Sequence, residues 1–154
     1  MRTYITDKPV LYKHFSGMED IAQAVAIDGF GELAEALSQA RSGIDEPGQV
    51  LRRIAQAFTS FARDNPALYE AMFTRTTTLR FAAADTPRQL SAAFGELREA
   101  VTAVADGRDV DTLTELLWAA LHGLTALTRS HRLRPEHDSD RIDLLAAQFS
   151  ASVP

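Results

Sequence analysis

The chain has 154 residues and a formal net charge of −5; 45% of its residues are hydrophobic, 24% are charged and none is cysteine. That length suits one domain with a sizeable core, and the missing cysteine excludes disulfides, thiolate metal sites and cysteine nucleophiles. The acidic balance argues against nucleic acid as partner of the whole surface. No apolar run approaches a membrane span and no signal peptide opens the chain, so the expected location is the cytoplasm, away from any membrane.

Thr6 is a helix N-cap with Pro9 in the first turn, and Val10 to Phe15 continue that short helix. Ser16 with Glu19 three residues on forms a capping box, so a second and longer helix is expected to begin there. The short helix holds both lysines of the chain, Lys8 and Lys13, and residues 1–14 are net positive in an otherwise acidic chain. Leu11 and Phe15 are expected to pack near Ile21 and Val25, and residues 1–8 to be mobile. Lysines and tyrosine hydroxyls reach phosphates, and Thr6, Lys8 and Val10 suit base edges or a thymine methyl. An ordinary N-terminal helix with solvated lysines fits the spacing as well.

From Met18 to Arg41 one helical face carries Ala22, Ala26, Gly29, Leu33, Ala36 and Ala40. A break over Ser42–Gly48 precedes a face of Val50, Ile54, Ala57, Phe58 and Phe61 that runs to Asn65. Pro66 restarts a short helix through Phe73, and the β-branched run Thr74–Thr78 is a poor helix interior. Thr86 as N-cap with Pro87 at N1 opens a helix facing inward with Leu90, Ala93, Phe94, Leu97 and Val101, ending near Asp106-Gly107. Asp109 or Asp111 caps a further helix with the stripe Leu113, Leu117, Ala120, Leu124 and Leu127. After a connection at Arg132–Pro135, Ile142, Leu145 and Phe149 mark the last helix. Six or seven helices without a strand signal make an all-α helical bundle.

Three patches in chain order resemble TetR-type transcriptional regulators. Ile5-Thr6-Asp7-Lys8-Pro9-Val10-Leu11-Tyr12-Lys13-His14-Phe15 resembles their recognition-helix region, followed by a long helix that opens with Ser16-Gly17-Met18-Glu19-Asp20-Ile21. Asn65-Pro66-Ala67-Leu68-Tyr69-Glu70-Ala71-Met72-Phe73 and the W-x-x-x-H-G pattern Trp118-Ala119-Ala120-Leu121-His122-Gly123 resemble one C-terminal subgroup. The resemblance implies residues 1–17 as a partial helix-turn-helix and 18–154 as a helical ligand-binding and dimerisation domain. A helix-turn-helix also needs two helices ahead of the recognition helix, ~25–40 residues, and the chain as written is expected to be short of them.

By that resemblance Tyr12, Lys13 and His14 contact phosphates, and Thr6 to Val10, with Lys8 and Pro9 between them, read bases. It also implies a homodimer through the last two helices, with Leu121, His122, Gly123, Thr125, Leu145 and Phe149 at the interface, and operator DNA as partner once the two missing helices are present. Phe58, Phe61, Tyr69, Met72, Phe73, Phe94, Trp118 and His122 are an aromatic and soft set spread over several helices. They suit plain core, and equally a pocket for an apolar or aromatic small-molecule effector, with Tyr69, Thr76, Thr77, Arg80 and His122 as polar anchors and Phe81 facing the same space. The function implied is a ligand-responsive DNA-binding regulator, a repressor; the alternative is a dimeric small-molecule-binding module without DNA binding.

No Gly-rich phosphate loop or Gly-x-Ser-x-Gly elbow occurs, and His14, His122, His131 and His137 suggest no triad, so no enzyme is expected. His137 lacks a second histidine three or four residues away, and Asp106–Asp111 lacks the bidentate glutamate of a calcium loop. No metal or cofactor is expected.

Overall fold

The computed structural model describes residues 3–73 and 86–151, with side chains from Gly17 onward. The described elements are α1 (Thr3–Arg41), α2 (Pro47–Asp64), α3 (Pro66–Phe73), α4 (Arg88–Thr102), α5 (Val110–Arg129), a 3-10 turn at Pro135–His137 and α6 (Asp138–Ser150). No strand occurs among the described residues, and the bundle is all-α as expected.

The breaks follow local chemistry. Glu46 caps α2 by accepting from the N–H groups of Gly48 (2.9 Å) and Gln49 (2.7 Å), with Pro47 in the first turn. Asn65 ends α2, its backbone N–H and its Nδ2 both donating to the Phe61 carbonyl at 3.0 Å, and Pro66 starts α3 directly. Helix α4 begins one residue later than Thr86 and Pro87 suggest: Pro87 holds the N-cap place, without a side-chain cap. Asp106 (φ 48°) and Gly107 (φ 83°) turn the chain after α4 in the left-handed region. Asp109, not Asp111, then caps α5, accepting from Thr112 N at 2.9 Å and Thr112 Oγ1 at 2.6 Å.

Three sequence expectations change at α1, which begins at Thr3, so that Thr6 is not its N-cap and Pro9 lies beyond its first turn. The backbone is one continuous helix through Ser16, because nothing near the capping box breaks a helix; Gly17 inside it costs only about 1 kcal/mol against alanine. The side chains of Leu11 and Phe15, expected to pack near Ile21 and Val25, lie outside the described residues; Ile21 and Val25 themselves are exposed. The inward face also turns toward the larger side chains. Phe30, Leu33 and Leu37 are buried with Ala26 and Ala34, while Ala22, Ala36 and Ala40 are only half-buried.

Helix α2 lies centrally, packed against α1, α3, α4, α5 and α6. It contributes Leu51, Ile54, Phe58 and Ala62 to a core completed by Tyr69 and Met72 of α3, Leu90, Leu97 and Val101 of α4, Leu117 and Leu121 of α5, and Ile142 and Ala146 of α6. Each fully buried leucine or phenylalanine contributes roughly 1.5–3 kcal/mol. Polar ties lock the layers. Arg41 Nε donates to Glu96 at 2.5 Å between α1 and α4, and Arg108 donates to the carbonyls of Val104, Ala105 and Phe149, joining the ends of α4 and α6. Gly29 permits close approach of α3: a Cβ there would meet Met72 Sδ at 2.6 Å.

Candidate ligand-binding site

Phe73, the last residue of α3, stands at the centre of an aromatic nest. Its ring centroid lies 5.0 Å from Phe30, 4.5 Å from Tyr69, 5.8 Å from Trp118 and 5.5 Å from His122, and Phe94 meets Trp118 at 6.2 Å. The spacing explains the convergence: Tyr69 and Phe73 are one turn apart on α3, as are Trp118 and His122 on α5. Tilted and edge-on rings at these distances are favourable arrangements.

Tyr69 is buried, and its hydroxyl lies 2.6 Å from His122 Nδ1. Burial raises the tyrosine well above its ordinary value and lowers the histidine below its own. Both are therefore neutral near pH 7. One hydrogen bond joins the phenol oxygen and Nδ1, and its direction follows the tautomer of the His122 ring.

In front of the nest a cavity of about 740 Å³ lies between α4 and α5. Among the described residues its walls are Phe73, Phe94, Trp118 and His122, with Ser91, Gly95 and Ala119; Arg98, Asp111 and Glu115 complete the lining. Arg98 Nε donates to Asp111 Oδ1 at 2.7 Å, so most of the charge there is already paired. An apolar wall with a neutral hydrogen-bonding pair behind it suits a flat apolar or aromatic molecule carrying a polar group.

Of the eight side chains singled out in the sequence, Phe73, Phe94, Trp118 and His122 line this cavity. Phe58, Tyr69 and Met72 are buried behind it, and half-buried Phe61 packs on the core without lining the cavity. Thr76, Thr77, Arg80 and Phe81 lie outside the described residues. Arg98, Asp111 and Glu115 were not read as pocket residues in the sequence; Asp111 and Glu115 are one turn apart on α5, but no spacing rule joins them to Arg98 on α4.

The tetracyclin repressor-like C-terminal domain model matches residues 51–149, which is α2 to α6 nearly whole. The chain belongs to that family. A solved structure of a protein of unknown function from Rhodococcus sp. RHA1 is similar to it, with a TM-score of 0.71 and 21% identity over 84% of this chain and 70% of that one. At that identity the likeness concerns the fold. No curated protein matches the chain.

Within this tetracyclin repressor-like domain, the residues assigned to dimerisation fall in different places. Leu121 and Thr125 are buried within the single chain. His122 lines the cavity, and Leu145 and Phe149 are half-buried against the core. Gly123 alone stands in open space, with nothing within 4 Å of a Cβ built on it. The exposed leucines of the last two helices are Leu116, Leu127 and Leu144. The DNA-contact residues Thr6, Lys8, Pro9, Val10, Tyr12, Lys13 and His14 have side chains outside the described residues, and the expected mobility of residues 1–8 falls on Met1, Arg2 and side chains that lie outside them too. Among the described residues no three potential metal ligands gather, and no helix is long and apolar enough to cross a membrane.

Proposed function

We propose that this domain is the effector-sensing and dimerising body of a ligand-responsive transcriptional regulator that acts as a repressor. The observation that carries the reading is the aromatic-walled cavity between α4 and α5, backed by the Tyr69–His122 pair. Its volume falls within the ~300–1,000 Å³ typical of small-molecule sites. An apolar or aromatic effector would stack on Phe94 and Trp118 and address His122.

Two surfaces support the remaining parts. On α5, Leu116, Ala120, Gly123 and Leu127 follow one another at helical spacing on the side away from the core, forming a stripe suited to a second copy of the same helix. On α1, Met18, Ile21 and Val25 form an exposed apolar stripe next to the segment that resembles a recognition helix, a surface on which a helical DNA-binding unit would rest. Paired recognition helices must meet half-sites roughly 34–36 Å apart. An effector that shifts α4 against α5 therefore changes DNA affinity by favouring one spacing over another.

Trp118 fluorescence titrated with small aromatic ligands tests the pocket. A saturable change that Phe94→Ala weakens at least about tenfold is expected, and no saturable response to any ligand would remove the pocket from the reading. A gel shift on DNA from the protein's own promoter region tests the rest. Retardation that weakens with salt and is relieved by the same ligand is expected. Ligand binding without retardation even at low salt would favour the second reading, a dimeric small-molecule-binding module.

A further inference from the structure

The geometry points to a second binding site, at the C-terminal half of α5, for a small monocarboxylate with a compact apolar body. A cavity of about 240 Å³ lies where the end of α2 and the start of α3 meet the last turns of α5 and the first turn of α6. It shares no lining residue with the aromatic cavity. Its volume is below the ~300–1,000 Å³ of sites for drug-sized molecules, which limits the occupant to something near the size of a single substituted ring.

Ala62, Leu124 and Ile142 supply apolar wall for such a body. The charges around it are Arg63, Arg129 and Arg141 against one carboxylate, Asp138, with His131 beside them. Arg141 is committed, donating to Asp138 and to the Arg134 carbonyl. The other two are held loosely: Arg63 lies 3.6 Å from Asp64 and donates to Ser60 Oγ at 3.2 Å, and Arg129 lies 3.8 Å from Glu70. Two guanidinium groups with donors to spare beside an apolar wall match one carboxylate, which they can bind in fork geometry. With Asp138 in the wall, a more highly charged anion is disfavoured.

Thr125 adds an independent sign. It lines this cavity and is 5% exposed, and its Oγ1 has no well-formed hydrogen bond. Thr59, Thr102 and Thr114 each return their hydroxyl to the carbonyl four residues back; Thr125 does not. Its side chain addresses the Tyr69 hydroxyl, whose short hydrogen bond goes to His122. A carboxylate oxygen in the cavity offers the Thr125 hydroxyl a charged acceptor, stronger than the neutral phenol it addresses.

The test uses the whole chain with benzoate as probe and benzamide as its uncharged counterpart, read by calorimetry and by methyl and indole NMR signals. Benzoate is expected to bind saturably, to shift the Leu124 and Ile142 methyls and to leave the Trp118 indole unmoved. Benzamide is expected to bind much more weakly. Exposed Arg129→Gln should cut benzoate affinity roughly tenfold, and Thr125→Val severalfold, with helical circular dichroism unchanged in both. The proposal is overturned by absence of saturable benzoate binding, by equal affinity for benzamide, or by an unaltered Arg129→Gln variant. Shifts confined to the Trp118 indole would overturn it too while leaving the aromatic pocket standing, so the two readings fail separately.

Discussion

Two sides of α5 are apolar, and they meet different surroundings. One side carries Thr114, Leu117, Leu121 and Thr125, all buried against α2 and α4. The other carries Leu116, Ala120, Gly123 and Leu127, with Leu116 56% and Leu127 45% exposed. The buried side contains two threonines, and the exposed side is purely aliphatic apart from glycine. Composition alone would thus rank the two sides in the wrong order. What separates them is neighbours: the first closes the chain's own core, and the second has the small residues and leucines that a facing helix needs.

The largest contrast comes from truncating one leucine on each side. Leu121→Ala leaves a cavity in a packed core and should cost about 3–4 kcal/mol in urea unfolding, while Leu127→Ala should cost under about 1 kcal/mol in the single chain. Equal losses would erase the distinction between the sides. Thr125→Val, on the buried side, removes a hydroxyl without a well-formed hydrogen bond and should change stability by under about 1 kcal/mol; a larger loss would mean that its approach to the Tyr69 hydroxyl is a full hydrogen bond. Gly123→Ala sharpens the exposed side. A Cβ there meets nothing within 4 Å in one chain, so helix propensity should add about 1 kcal/mol, or somewhat less, to the dissociated chain while self-association weakens. Unchanged association would show that no helix approaches Gly123.

The smallest effect is a pH dependence from His122. Burial opposes its charged form, so below the ordinary histidine value of about 6.5 the unfolded chain binds more protons than the folded one. The stability of the buried neutral ring is complete above that pH and is lost as pH falls toward the lowered folded value. Urea midpoints for the wild type and His122→Gln check this between pH 7.5 and 5: the wild type should lose more on acidification. Parallel losses would place the slope on other groups.

Much of the bundle was legible because its breaks rest on local chemistry. Pro47, Pro66, the Asp106-Gly107 pair and the Asp109 cap act through their own backbone, and a reader of sequence sees them directly. Helix faces were less legible. The expected α5 stripe of Leu113, Leu117, Ala120, Leu124 and Leu127 mixes residues from both sides, since two apolar faces on one helix blur a single periodicity. At Ser16 a cap signal was overridden because a cap permits a helix start without forcing one, and no breaker lies nearby. Aromatic identity named Phe73, Phe94, Trp118 and His122, but which rings face free space depends on packing across α3, α4 and α5. The cationic cavity left no trace in sequence: Arg63, Arg129 and Arg141 come from three helices.

Sedimentation equilibrium of the wild type beside a Leu116→Glu, Leu127→Glu double variant tests most directly whether the exposed side of α5 is reserved for a second copy. The wild type is expected at twice the 16.9 kDa chain mass, and the double variant at one chain mass with the same helical circular dichroism. A monomeric wild type, or a double variant that remains a dimer, would contradict it.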